Sequence, residues 1–117
     1  MLLLEYPKCS TCKKAKAFLD NCKVDYIDRD IVNNNPSKDE LRKWIKTSEK
    51  DISRFFNTSG IKYREMNLKE VLKEISFDEK LDILSTDGML VKSPLLIIDN
   101  KVLIGFKQKE WEEVINR

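Results

Sequence analysis

At 117 residues the chain has the length of a single domain able to bury its own core. Its 22 Lys and Arg stand against 20 Asp and Glu with the signs interspersed, which predicts no DNA contact and no anionic membrane surface as partner. No histidine is present, so a Cys-His nucleophile pair is excluded, and the three cysteines, two of them spaced CxxC, suit a reducing, cytoplasmic compartment.

Met1 to Leu4 read as the start of a buried strand, which Glu5 interrupts and Pro7 ends. With no basic flank ahead of it, this run is not a signal peptide, and no apolar stretch is long enough to span a bilayer. Ala15, Phe18, Leu19 and Cys22 then recur along one helical face, so Cys22 is expected in the core. Val24 to Arg29 alternates as a second strand, with Val24, Tyr26 and Ile27 opposed to Asp25, Asp28 and Arg29. The opening is thus β-α-β.

Asn33 to Pro36 break the chain, and Ser37 with Glu40 three residues on has the form of a capping box for a helix carrying Leu41, Trp44 and Ile45. A second short helix is expected around Ile52 to Phe56, closed by Thr58-Ser59-Gly60. Tyr63, Met66, Leu68, Val71, Leu72 and Ile75 are spaced for helical packing, and Phe77 opens another helix that Asp87-Gly88 ends. Trp44, Phe77 and Trp111 all fall on apolar stripes and are expected in the core.

Pro94 is followed by Leu95 to Ile98, a continuous apolar run that reads as a buried central strand. A tight connection at Asn100 and Lys101 leads to Val102, Leu103 and Ile104 as the second arm of a hairpin. Gly105 ends it, and Lys107 to Arg117 form a last helix. The order is β-α-β, a helical block over about residues 37–87, then β-β-α, a single α/β domain with the block as an insertion.

The chemistry falls on Tyr6-Pro7-Lys8-Cys9-Ser10-Thr11-Cys12-Lys13-Lys14, a strand-to-helix turn holding both thiols. A helix N-terminus with Lys8 and Lys13 nearby favours a thiolate at Cys9. One turn later Cys12 is partly covered, so Cys9 would attack a disulfide and Cys12 would resolve the product. The competing reading makes both cysteines ordinary small residues of a turn. Three cysteines without histidine fall short of the four ligands of a structural zinc site, so neither a metal nor a bound cofactor is expected.

Through Pro7 to Ala15, Phe56 to Gly60, Asp87 to Pro94 and Gly105-Phe106-Lys107, the chain resembles the ArsC/Spx family of thioredoxin-like proteins across nearly its whole length. The resemblance implies a thioredoxin-like, glutaredoxin-like mixed sheet. Cys9 would be the nucleophile, and Ser93-Pro94 the segment beside it, with a proline that is commonly cis. It also implies an arsenate reductase-like thiol oxidoreductase served by glutathione, glutaredoxin or thioredoxin as external reductant. The family's reductases bind the oxyanion through arginines at positions that align with Asn57, Ser93 and Phe106, none of which carries charge, and this counts against arsenate as substrate. Lys92 should point to the other side of an extended backbone; Arg54 or Arg64 could reach inward, though the sequence gives no positive reason for either to do so. The alternative is a Spx-like redox switch that binds RNA polymerase. Spx-type members run on past the last helix and keep the arginine before the proline, whereas this chain stops at Arg117 and has Ser93.

Overall fold

A computed structural model describes residues 1–116. Four strands form one mixed sheet in the order β2-β1-β3-β4: β1 (Leu2–Glu5), β2 (Ile27–Asp30), β3 (Leu95–Ile98) and β4 (Lys101–Ile104). β1 pairs in parallel with β2 across the crossover helix α1 (Ser10–Asn21), and antiparallel with β3, with Leu4 opposite Leu95. β3 turns through Asp99-Asn100 into β4, and Ile98 faces Lys101.

Because side chains alternate along a strand, each central strand feeds two cores. Leu3, Leu96 and Leu103 pack with Ala15 and Leu19 of α1 and with Trp111 of α6 (Gln108–Ile115). On the other face Leu4 and Leu95 pack with Leu41, Trp44 and Ile45 of α2 (Lys38–Ser48) and with Leu81 and Leu84 of α5 (Phe77–Ser85). Leu3, Leu4, Leu95 and Leu96 are all fully buried, so their removal would cost about 2–5 kcal/mol each. Among the described residues no helix is long and apolar enough to cross a membrane.

The capping box at Ser37 forms as expected: the Glu40 N–H donates to Ser37 Oγ (3.1 Å) and the Ser37 N–H to Glu40 Oε1 (3.0 Å). A second box, Ser76 with Glu79, starts α5 in the same way.

Several expectations need correction. The second strand starts three residues late, because Lys23 takes a left-handed turn (φ 57°) and pairing begins only at Leu2 with Ile27, which is exposed on the sheet edge. The helix expected through Tyr63 to Ile75 is two short pieces, α3 (Ile61–Glu65) and α4 (Leu68–Val71), parted by Asn67 in the left-handed region (φ 51°). Met66 and Val71 are consequently exposed. Trp44 and Trp111 are buried, but Phe77 is 48% exposed: it shares a face with Leu81 and Leu84, yet as the first residue of α5 it lies a full turn before the buried part of that stripe. Cys22 caps the C-terminus of α1 half-buried and joins neither core. The last helix ends at Ile115, and Arg117 lies outside the described residues.

Candidate functional site around two thiols

β1 delivers the chain into the turn that holds both thiols. The Cys9 N–H donates to the Tyr6 carbonyl (2.9 Å), and Cys9 itself is the N-cap of α1, its carbonyl accepting from the Lys13 N–H (3.1 Å). Cys9 is half-buried, whereas Cys12, one turn on and facing inward, is 0% exposed. The Tyr6 N–H points at Cys12 Sγ (3.4 Å), and Ser93 and Cys9 stand near enough to bias its ionisation, Ser93 downward and Cys9 upward. Burial pushes the Cys12 thiol up to about 11, against the smaller lowering effects of the Tyr6 N–H and Ser93.

Sheet pairing brings Ser93 to this place. β1 and β3 run antiparallel as neighbours, so the end of β1 and the start of β3 meet at one end of the sheet. The Ser93–Pro94 peptide bond is cis, Pro94 is buried, and its carbonyl accepts from the Gly105 N–H (2.8 Å). Gly105 adopts a positive φ of 73°, which favours glycine, and its carbonyl accepts from Trp111 Nε1 (3.1 Å). That turn carries Phe106 and Lys107 from β4 to the mouth of the site.

Two cavities adjoin there. The smaller, about 210 Å³, is walled by Tyr6, Cys9, Asn57 and Met89; the larger, about 450 Å³, by Arg54, Phe106 and Lys107. Thr11, Lys92 and Ser93 line both. Met89 lies on a single 3₁₀ turn, Gly88–Leu90, held by the Asp87 carboxylate, which accepts from the Met89 N–H (2.8 Å) and pairs with Lys62 of α3. Gly88 is needed for close approach: a Cβ there would lie 1.7 Å from the Ile31 carbonyl oxygen.

Of the residues singled out in the sequence, Cys9, Cys12, Ser93 and Pro94 come together, while Lys8 and Lys13 are exposed and line neither cavity. Asn57 does face the Cys9 cavity, and Phe106 lies by the larger one with its ring edge-on to Trp111 (4.9 Å between centroids). Lys92 departs from expectation by lining both cavities. Alternation fails because Val91 makes only an isolated bridge to Phe56, and the chain bends at Ser93 before β3 begins. Arg54 also reaches the site, for which the sequence offered no positive reason. It sits on the 3₁₀ segment Ile52–Phe55, which the Lys92 N–H anchors by donating to the Phe55 carbonyl (2.7 Å). No local signal announces a contact between segments so far apart in the chain. Arg64 lines neither cavity.

Glu5 is the other polar group buried nearby. It is 3% exposed, Lys16 Nζ lies 3.8 Å from Oε1, and Oε2 has no hydrogen-bond partner. Burial, and then the neighbouring Asp28 carboxylate, raise its pKa above the ordinary carboxylate value. Among the described residues no group of three His, Cys, Asp or Glu is placed to hold a metal ion.

A model of the ArsC family matches residues 4–114. The protein YusI of Bacillus subtilis is 48% identical over 108 residues, 92% of each chain. The global transcriptional regulator Spx 2 of Bacillus cereus is 25% identical over 117 residues, 100% of this chain and 88% of its own. Among solved structures, an ArsC family related protein from Bacteroides fragilis superposes with a TM-score of 0.93 at 44% identity, covering 97% of this chain and 95% of that one.

Proposed function

The chain belongs to the ArsC family, and from that premise we propose that it is a thiol–disulfide oxidoreductase working through Cys9 and Cys12. The observation that carries this reading is the inequality of the two thiols. Cys9 lines a cavity open to a substrate, while Cys12 is fully buried against it with its ionisation suppressed. Such a pair divides the labour of exchange, which needs one accessible attacking sulfur and one protected resolving sulfur.

The cycle balances as follows. The Cys9 thiolate attacks one sulfur of a substrate disulfide, forming a mixed disulfide and releasing the other half as a thiolate that takes up a proton. Cys12 then loses its proton and attacks Cys9 Sγ, forming the Cys9–Cys12 disulfide and expelling the second substrate thiol. Two electrons pass from the protein dithiol to the substrate, and an external thiol such as glutathione, glutaredoxin or thioredoxin restores the dithiol. Ser93, near Cys12 and lining the Cys9 cavity, and Pro94, holding the backbone beside it, position the exchanging sulfurs.

The test is single-turnover reduction of a disulfide by the reduced protein, followed by intact mass. Cys9→Ser should abolish exchange, and Cys12→Ser should accumulate the mixed disulfide. Equal reactivity of the two variants refutes the division of roles. Arsenate offered with glutathione and glutaredoxin should not be turned over, because Asn57, Ser93 and Phe106 supply no guanidinium fork, and Lys92, which does line the Cys9 cavity, is a single point charge that cannot grip an oxyanion in two places.

Likeness to Spx 2 along the whole chain supports a second reading, a redox-switched regulator that binds RNA polymerase. It requires redox-dependent capture of polymerase subunits; exchange turnover without capture decides for the enzyme.

A further inference from the structure

The resolving step needs a base that the two sulfurs do not supply. Cys12 must shed its proton inside the fold, from a thiol that burial holds in the neutral form, and the chain has no histidine to take it. Among the described residues Glu5 is the only charged side chain that the fold buries, and its Oε2 has no hydrogen-bond partner. An orphaned carboxylate oxygen away from water is costly to keep, and exchange between the sulfurs gives it no part.

The fold brings the two groups together. Alternation along β1 puts Glu5 on the face of Leu3, which packs against Ala15 and Leu19 of α1. Cys12 and Lys16 stand one turn apart on that helix, and Lys16 Nζ lies 3.8 Å from Glu5 Oε1. The Tyr6 N–H that points at Cys12 Sγ (3.4 Å) is bonded to the Glu5 carbonyl carbon, so the sulfur lies no more than about 6 Å from Glu5 Cα. That gap is within the sweep of a glutamate side chain turning about its own torsions.

The surroundings suit a carboxylate that takes up a proton. Lys16, the cation facing Glu5 from α1, is held more closely by Asp28, at 2.8 Å. From β2, Asp28 and Asp30 add negative charge, and Asp28 stands near enough to favour a proton on Glu5; Tyr26 lies beyond, beside Lys16.

We infer that Glu5 is the proton acceptor for Cys12 in the resolving step. This rests on the exchange reading above and adds the base it lacks. The Cys12 proton passes to Glu5 Oε2, so a thiolate forms without adding charge to the buried region. Cys12 Sγ then bonds to Cys9 Sγ, the bond from Cys9 to the substrate sulfur breaks, and the substrate half leaves as a thiolate. Glu5 afterwards returns its proton to solvent.

The experiment follows the two halves of dithiobis(nitrobenzoate), each coloured on release, after mixing with the reduced protein in the Cys22→Ser background. The first release reports attack by Cys9, and the second reports closure by Cys12. Glu5→Gln, whose fold is checked by thermal melting, should slow the second release roughly tenfold or more near neutral pH and leave the first as it was. The second release in the parent should fall away as Glu5 is protonated, whereas in the variant it should climb with pH towards 11, so that the two rates meet in alkali. A second release that Glu5→Gln leaves unchanged, or slows equally at every pH as a packing defect would, overturns the inference and leaves exchange intact. A further measurement needs no disulfide. In the Cys9→Ser/Cys22→Ser protein, Cys12 should ionise at lower pH once Glu5→Gln removes a neighbouring negative charge. That shift supports the pairing even if neither half is released, an outcome that would sink the exchange reading alone. A Cys12 inflection that stays in place overturns the pairing.

Discussion

The sharpest quantity at the site is the suppressed acidity of Cys12. A thiol moved from 9.0 to about 11 is roughly a hundredfold poorer in thiolate at any pH below 9, and the displacement is worth about 3 kcal/mol. At pH 8 only about one molecule in a thousand would carry the Cys12 thiolate, against roughly one in ten for an ordinary thiol. The protein with Cys9→Ser and Cys22→Ser isolates this group. Burial, the largest cause of the shift, survives both changes, and the weaker contribution of Cys9 is lost. Ultraviolet titration of the thiolate should then give an inflection near 11 in the folded protein and an ordinary one in urea, with circular dichroism confirming the fold at each pH. The sign of the linkage supplies a second readout. A folded pKa raised above the unfolded one stabilises fully below the unfolded value, and that stability is lost as pH rises from about 9 towards 11. A folded-state inflection near 9 would refute the argument, since Cys12 would then be as ready to attack as any surface thiol.

Three further outcomes follow from the same structure. Arg29 grips Glu40 at two points (2.7 and 2.9 Å) and pulls its carboxyl down to about 2, so the pair stabilises above the usual carboxylate range and loses that stability as pH falls towards 2. Glu40→Gln keeps the capping box but should lose roughly 1–2 kcal/mol in urea unfolding at pH 7, after allowance for solvent screening, and nothing near pH 2. Glu5→Gln should raise the melting temperature at pH 7, because a raised folded pKa means the ionised carboxylate opposes folding. The gain should disappear as pH falls below the unfolded value, and Lys16 keeps Asp28 at 2.8 Å throughout. Gly88→Ala drives a methyl group into the Ile31 carbonyl and should cost about 1–3 kcal/mol or more by urea unfolding, while slowing disulfide exchange by displacing Met89 from the Cys9 cavity.

What could be read in the sequence was what local spacing controls. The CxxC turn, the Ser37 capping box, the apolar run Leu95 to Ile98 and the hairpin after it each carry their cause within a few residues, although the hairpin turns at Asp99-Asn100 and Lys101, expected in the turn, already belongs to β4. The misreadings have a shared origin in backbone geometry that composition conceals. Asn67 and Lys23 take left-handed conformations without being glycine, which split one expected helix and delayed one strand. Phe77 met the helical spacing and shares a face with Leu81 and Leu84, yet at the very start of α5 it stays half exposed, because spacing does not tell where along a stripe burial begins. At the site, Cys9, Ser93 and Pro94 could be named in advance, whereas Arg54 and Lys92 could not. Their convergence depends on the bridge between Phe56 and Val91, a pairing of segments 35 positions apart.

The antiparallel seam of β1 and β3 has a consequence for how such a protein can change over time. The places of Cys9 and of residue 93 follow from a ladder of main-chain pairing that ends at Leu4 and Leu95, and that ladder is built without the side chains at 9 and 93. Chemistry and location are thereby inherited separately. A single substitution at 93 can alter which partners the sulfur prefers while the sulfur stays where it was, so new specificities lie one mutation apart on an unaltered frame.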